Sequence, residues 1–206
     1  GNMVARYIGE ANIEVAGNIL VGNEVSHSHI SCLGKINVPK GRIAGGRTVA
    51  HQGIRVSEAG ASGATETVLI AGVDYTLQGK VHFHNEKIIK LEEAQEKIGN
   101  ALRKGQKKPN ITSQERKSFA FFIQKLNNID QAIADELMIV QKLKAEAADL
   151  AVEEVLITKE LWSGTTIQLG KDKTIIRNSM LKPRIAQKNK RKVVLNPLGD
   201  GNMPEY

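Results

Sequence analysis

The side chains best equipped for chemistry near neutral pH are five histidines and one cysteine. His27 and His29 alternate in "SHSHI", with Cys32 three residues further on. A strand would put both imidazoles on one face, with a thiol nearby. That is the start of a zinc site, but a closed site needs three or four ligands. The other histidines are His51, His82 and His84, and His84 falls on an expected helix seam. No metal, cofactor or catalytic residue is assigned. The paired histidines read as hydrogen-bonding surface groups at a corner.

A histidine base would also suit an acyltransferase built on a left-handed hexapeptide solenoid, with His27, His29 or His51 in that role. Ile13, Ile19 and Val25 do fall six apart, yet the hexad fails at Ser31 and Asn37. No glycine cluster leads into Lys-Ser/Thr as in a phosphate loop, and there is no nucleophile elbow. The chain therefore reads as non-enzymatic, with no small-molecule substrate, and the acyltransferase is kept as the last alternative.

Charge offers a third kind of chemistry. Of a net +7, residues 171–192 carry nine Lys/Arg against Asp172, which leaves about −1 for the rest. Within this stretch Lys182, Arg184, Lys188, Lys190, Arg191 and Lys192 form a candidate binding patch for a phospholipid or nucleic-acid surface. The plainer account is a strand edge or tail whose lysines discourage edge-to-edge aggregation. No reading helix or aromatic platform accompanies the charge, so duplex-specific recognition is not expected.

These residues must be held by elements that the sequence spells out by period. "IEVAGNILV" and "ISCLGKINV" share a template, matched by Ile13, Val15, Gly17, Ile19, Val21 and again by Ile30, Cys32, Gly34, Ile36, Val38. The offset is 17 residues, and a looser copy, "TVAHQGIRV", brings Ile54 and Val56 eighteen after Ile36 and Val38. Such short repeats do not bury a face alone. They suit the coils of a β-solenoid, stacked about 4.8 Å apart, in which like residues form interior ladders. Aromatics make up 4% of the chain, which fits a thin aliphatic core rather than a bulky one. The glycine of each copy is expected to turn a corner.

Residues 74–150 change period. Leu77, Val81, His84, Ile88, Leu91, Gln95, Ile98 and Leu102 keep an unbroken 4-3 spacing, which predicts a coiled-coil seam. Asp74 is the expected N-cap, and "GQKKPN" at 105–110 stops the helix. Thr112 and Glu115 then form a T-x-x-E capping box. The second seam reads Phe119, Phe122, Leu126, Ile129, Ile133, Leu137, Val140, with a four-four step around Ile133 that would locally unwind a supercoil. Helices of about 30 and 37 residues predict an antiparallel hairpin of roughly 45–55 Å. The polar seam residues His84 and Gln95 are expected to fix register. The sharper reading of His84 is a pH switch.

Alternation resumes in "VLITKELWSGTTIQLG" around Gly164. The expected organisation is solenoid over 1–73, helical hairpin over 74–150, returning solenoid with the basic stretch over 151–195, and a tail over 196–206.

In "HSHI" at 27–30, "GRIAGG" at 41–46 with "TVAHQGIRV", "AGVDY" at 71–75 and "ELWSGTTIQLG" at 160–170, the chain resembles the bacterial flagellar assembly protein A family over roughly residues 10–195. The resemblance implies a right-handed parallel β-helix, a scaffolding role in flagellar assembly or polar organisation, and no established catalytic residues. Open solenoid ends and a long apolar seam predict a homo-oligomer, with the helical arm as a docking surface for a protein partner. The lone cysteine, the lack of a signal-like start and the lack of an apolar run of about 18 residues lead to a cytoplasmic expectation.

Overall fold

The computed structural model describes residues 1–63, 66–106, 112–182, 184–189 and 192–197. In chain order these form β1 (Met3–Gly9), β2 (Asn12–Val15), β3 (Ile19–Cys32), β4 (Ile36–Ala50), β5 (Ile54–Ala59), β6 (Thr67–Ala71), α1 (Leu77–Gln106), α2 (Ser113–Leu150), β7 (Glu154–Leu161), β8 (Thr165–Leu169), β9 (Asp172–Ile175), β10 (Arg184–Asn189) and β11 (Lys192–Pro197). The chain divides into two compact units. One comprises residues 1–75 with 147–206, and the other residues 76–146.

The first unit is a β-solenoid. Three ladders of parallel pairing run through it. On the first face Met3, Ile19, Ile36, Ile54 and Val155 stack in register. On the second the stack is Ile8, Val25, Ile43, Ala59 and Leu161. On the third it is Ile13, Ile30, Thr48, Leu69 and Ile167, with Val15, Cys32, Ala50, Ala71 and Leu169 beside it. The repeated template is thus one phrase per coil, each residue lying over its counterpart. Past the first coil these interior side chains are almost all fully buried. Each valine, leucine or isoleucine among them is worth about 1.5–3 kcal/mol in apolar transfer.

The template glycines are required by stacking. Gly34 N donates to Gly17 O at 3.0 Å. A Cβ on Gly34 would lie 2.7 Å from that same oxygen, and Gly34 is not among the left-handed glycines. The corner is reinforced by asparagine: Asn18 Oδ1 accepts from Lys35 N, and Asn2 Oδ1 from Asn18 N, each at 2.8 Å.

After the fifth coil the chain reverses on every face. β9 runs antiparallel to β8, β10 antiparallel to β7 with β11 beyond it, and Met180 bridges Leu161 in the antiparallel sense. The solenoid therefore ends in antiparallel strands, and the described part of the basic stretch belongs to that closure.

The second unit consists of α1 and most of α2. The first backbone bond of α1 runs from Lys80 N to Thr76 O, so the cap position is Thr76, two residues later than the expected Asp74. At the start of α2 the capping box is complete. Glu115 N donates to Thr112 Oγ1 at 3.2 Å, while Glu115 Oε2 accepts from Thr112 N at 2.9 Å.

Candidate functional site

On α1 the side chains of Leu77, Val81, His84, Ile88, Leu91, Gln95, Ile98 and Leu102 are all buried or half-buried, while Phe83 and Ile89 are exposed. On α2 Phe119, Phe122, Leu126, Ile129, Ile133 and Val140 are similarly covered. Leu137 is not: it is 48% exposed, and Glu136 occupies the inward position instead. The covered residues 129, 133, 136, 140, 143 and 147 keep the 3-4 spacing unbroken, so the four-four step disappears. Hydropathy pointed to the leucine, whereas helical phase selects the acid.

Glu136 lies inward because polar partners await it. His84 Nδ1 lies 2.5 Å from Glu136 Oε2, and Lys87 Nζ donates to Glu136 Oε1 at 3.1 Å. The His84 hydrogen bond holds the carboxyl below the usual range; partial burial opposes this, and Lys87 adds to the lowering. Gln95 Nε2 likewise donates to Asp130 Oδ1 at 2.5 Å. Both polar interruptions of the α1 seam therefore make side-chain hydrogen bonds to α2, and Lys87 adds a third to Glu136. Such pairs fix register more than they add stability.

The histidines of the solenoid do not converge. His27, with a left-handed φ of 45°, and His29 are exposed, whereas Cys32 points into the core. Burial pushes the Cys32 thiol up to about 11, partly offset by its hydrogen bond to Gly34 O. It is a protonated core side chain at neutral pH, unsuited to nucleophilic or metal chemistry. His51 is buried, with Nε2 2.6 Å from Ala147 O near the end of α2. Among the described residues no three His, Cys, Asp or Glu side chains are grouped to hold a metal ion.

Of the basic patch, Lys182 and Lys192 are exposed and Arg184 is half-buried. Lys188 lies on β10 opposite Val193. Lys190 and Arg191 lie outside the described residues, as do 107–110 of the expected helix stop and the expected tail from 198 on.

The sequence reading missed a groove of about 550 Å³ on the outside of the first face, whose lining includes Leu20, Lys35, Asn37, Arg55, Glu154 and Leu156. Outward positions of successive coils line up there, a consequence of register that no single segment reveals. No serine, cysteine or histidine lines it.

A solenoid of these coils with two long helices between its fourth and fifth passes is a distinctive order of parts. The family model for the flagellar assembly protein A β-solenoid domain matches residues 1–191. The chain belongs to the FapA family. No curated protein and no solved structure matches it. No helix among the described residues is long and apolar enough to cross a membrane.

Proposed function

We propose that this FapA domain is a non-enzymatic scaffold that self-associates in the service of flagellar assembly or polar organisation, in the cytoplasm. Family membership supports the flagellar link, and a right-handed sense of winding with it. The helical unit acts as an antiparallel coiled-coil arm. Its hydrogen bonds support that reading, since partners fall from 136 to 130 as residues rise from 84 to 95.

One observation carries self-association: α2 has more apolar surface than one partner helix covers. Besides its seam it leaves Phe121, Ile123, Leu137, Met138 and Ile139 exposed, which suits a further helix or a protein partner docking on the arm. Static light scattering at tens of micromolar tests the reading. A mass of two chains or more is expected, and a monomer of 22.5 kDa sinks it.

A second reading is favoured by the exposed Lys171, Lys173, Lys182 and Lys192 around the closing strands. These would draw the protein to an anionic phospholipid or nucleic-acid surface. Co-sedimentation with anionic vesicles that falls steeply with salt is its signature, and salt-independent binding or none removes it. The acyltransferase alternative has the least support, because His51 is buried and neither His27 nor His29 lines the groove on the first face.

A further inference from the structure

We infer that α2 carries a second, self-complementary stripe through which two copies of this chain pair their helical arms, α2 against α2 in the antiparallel sense. This rests on the self-association proposed above and names its interface.

The stripe is formed by Phe121, Lys125, Asn128, Ala132, Asp135 and Ile139. Their 4-3-4-3-4 spacing is a heptad row like the seam itself, carried over about 27 Å of helix. At about 100° per residue it lies roughly a quarter turn from the seam residues Ile129, Ile133 and Val140. A helix with two neighbours in a bundle needs two such rows. The seam is covered: Ile129 and Val140 are buried and Ile133 is half-buried. In the second row Ala132 is half-buried and the other five side chains are exposed, Phe121 by 62% and Ile139 by 39%.

The residue types name the occupant. In an antiparallel pair of α2 helices this row meets itself about position 130. Any 4-3-4-3-4 row reads alike in both directions, so its chemistry decides. Phe121 meets Ile139 of the second copy, Lys125 meets its Asp135 and Asn128 meets its Ala132, each contact occurring twice. The apolar ends close on one another, and the four charges form two opposite pairs. The small alanine leaves room for the asparagine, and a polar residue within such a row fixes register and partner number. Parallel pairing would set Lys125 on Lys125 and Asp135 on Asp135, which like charge opposes. Within its own helix Asp135 Oδ1 accepts from Gln131 Nε2 at 2.8 Å, and a carboxylate has further lone pairs for a lysine.

The opposite flank of α2 lacks this match. Its row is Ile123, Asn127, Asp130, Ala134, Leu137 and Gln141. Meeting itself, it would set Ile123 on Gln141 and Leu137 on Asn127, with no cation opposite Asp130. The occupant of the first row is therefore a second copy of this chain, and a joint of like with like closes at two.

Sedimentation velocity of the full chain should give a dimer at tens of micromolar. Lys125→Glu and Asp135→Lys each set like charges across the joint twice, and each alone should weaken the dimer about tenfold or more. Mixed in equal amounts, the two variants restore both opposite pairs and should dimerise again. Ile123→Glu with Met138→Glu, on the other side of α2, should leave the dimer intact. Spin labels on Lys117→Cys in the otherwise unaltered chain should lie about 40 Å apart, since position 117 faces 143 in this register. This readout decides the matter if a charge variant loses its helical signal at 222 nm. A dimer that survives both reversals, a mixture that stays monomeric, or labels within about 20 Å of each other overturns the stripe while leaving self-association standing. A monomer throughout overturns both, and a polymer beyond the dimer overturns the closed two-fold joint.

Discussion

The solenoid and the helical unit solve the same problem with different interactions. In the solenoid each coil is held by backbone hydrogen bonds to its neighbours, and its interior is a set of fully buried aliphatic stacks. In the helical unit the backbone satisfies itself within each helix, so tertiary structure rests on a narrow side-chain seam. Of α2 only Ile129 and Val140 are buried, at 8% and 6% exposure. Polar pairs such as His84 with Glu136 then choose how the helices align. The lesson concerns where specificity resides: in the solenoid in stacking and steric fit, in the arm in a few hydrogen bonds.

The largest break of this contrast should come from truncating an interior stack. Ile43→Ala removes a fully buried rung between Val25 and Ala59. It is expected to cost about 2–5 kcal/mol. The single tryptophan, Trp162, lies in the solenoid unit, so urea unfolding followed by its fluorescence reads that unit. Ile129→Ala should instead lower the helical signal at 222 nm while leaving the Trp162 transition in place. Coincident shifts by both probes would mean that the two units unfold as one.

Glycine gives the contrast in sign. Gly34→Ala places a Cβ 2.7 Å from the Gly17 carbonyl oxygen and should destabilise by about 1–3 kcal/mol. Gly79→Ala on α1 meets nothing within 4 Å and should stabilise the arm by about 1 kcal/mol. Thermal melts of the two variants should move in opposite directions.

A smaller effect is expected at Thr48, which sits in the third-face stack between Ile30 and Leu69. It is 1% exposed, and its hydroxyl has no hydrogen-bond partner. Thr48→Val keeps the shape and removes the orphaned group, so it should raise stability by about 1 kcal/mol in the same fluorescence assay. A loss instead would mean that the hydroxyl is satisfied.

Thr48 also marks the limit of what the sequence disclosed. The template was legible because Ile lies over Ile and Val over Cys, so register leaves an imprint at a fixed offset. The third copy was looser because Thr48, Ala50 and Gln52 stand where the first two have isoleucine, valine or cysteine, and glycine. The closing strands were not legible as antiparallel, since side-chain alternation is the same in either direction. For the candidate interaction surfaces, the hydropathy pattern marked most of the α1 side of the helical interface. It failed at Glu136 because an acid paired to His84 and Lys87 satisfies the seam by hydrogen bonding, which an apolar count penalises.

That acid supports the subtlest prediction. Glu136 is held below the ordinary carboxylate range chiefly by its hydrogen bond from His84. A carboxyl with a lowered folded-state pKa binds its proton more readily once unfolded. Its contribution is therefore complete above the ordinary carboxylate range and is lost as pH falls through the lowered value. Arm stability, followed at 222 nm, should decline on that acid limb, and Glu136→Gln should flatten the decline. Glu136→Leu should flatten it too while keeping the position apolar. If Glu136→Leu lets the helices slide, the distance between spin labels at Lys90 and Gln131 will broaden, whereas in Glu136→Gln it will not. A leucine that keeps a single narrow distance would show that packing alone sets the alignment, and the contrast between the two units would dissolve.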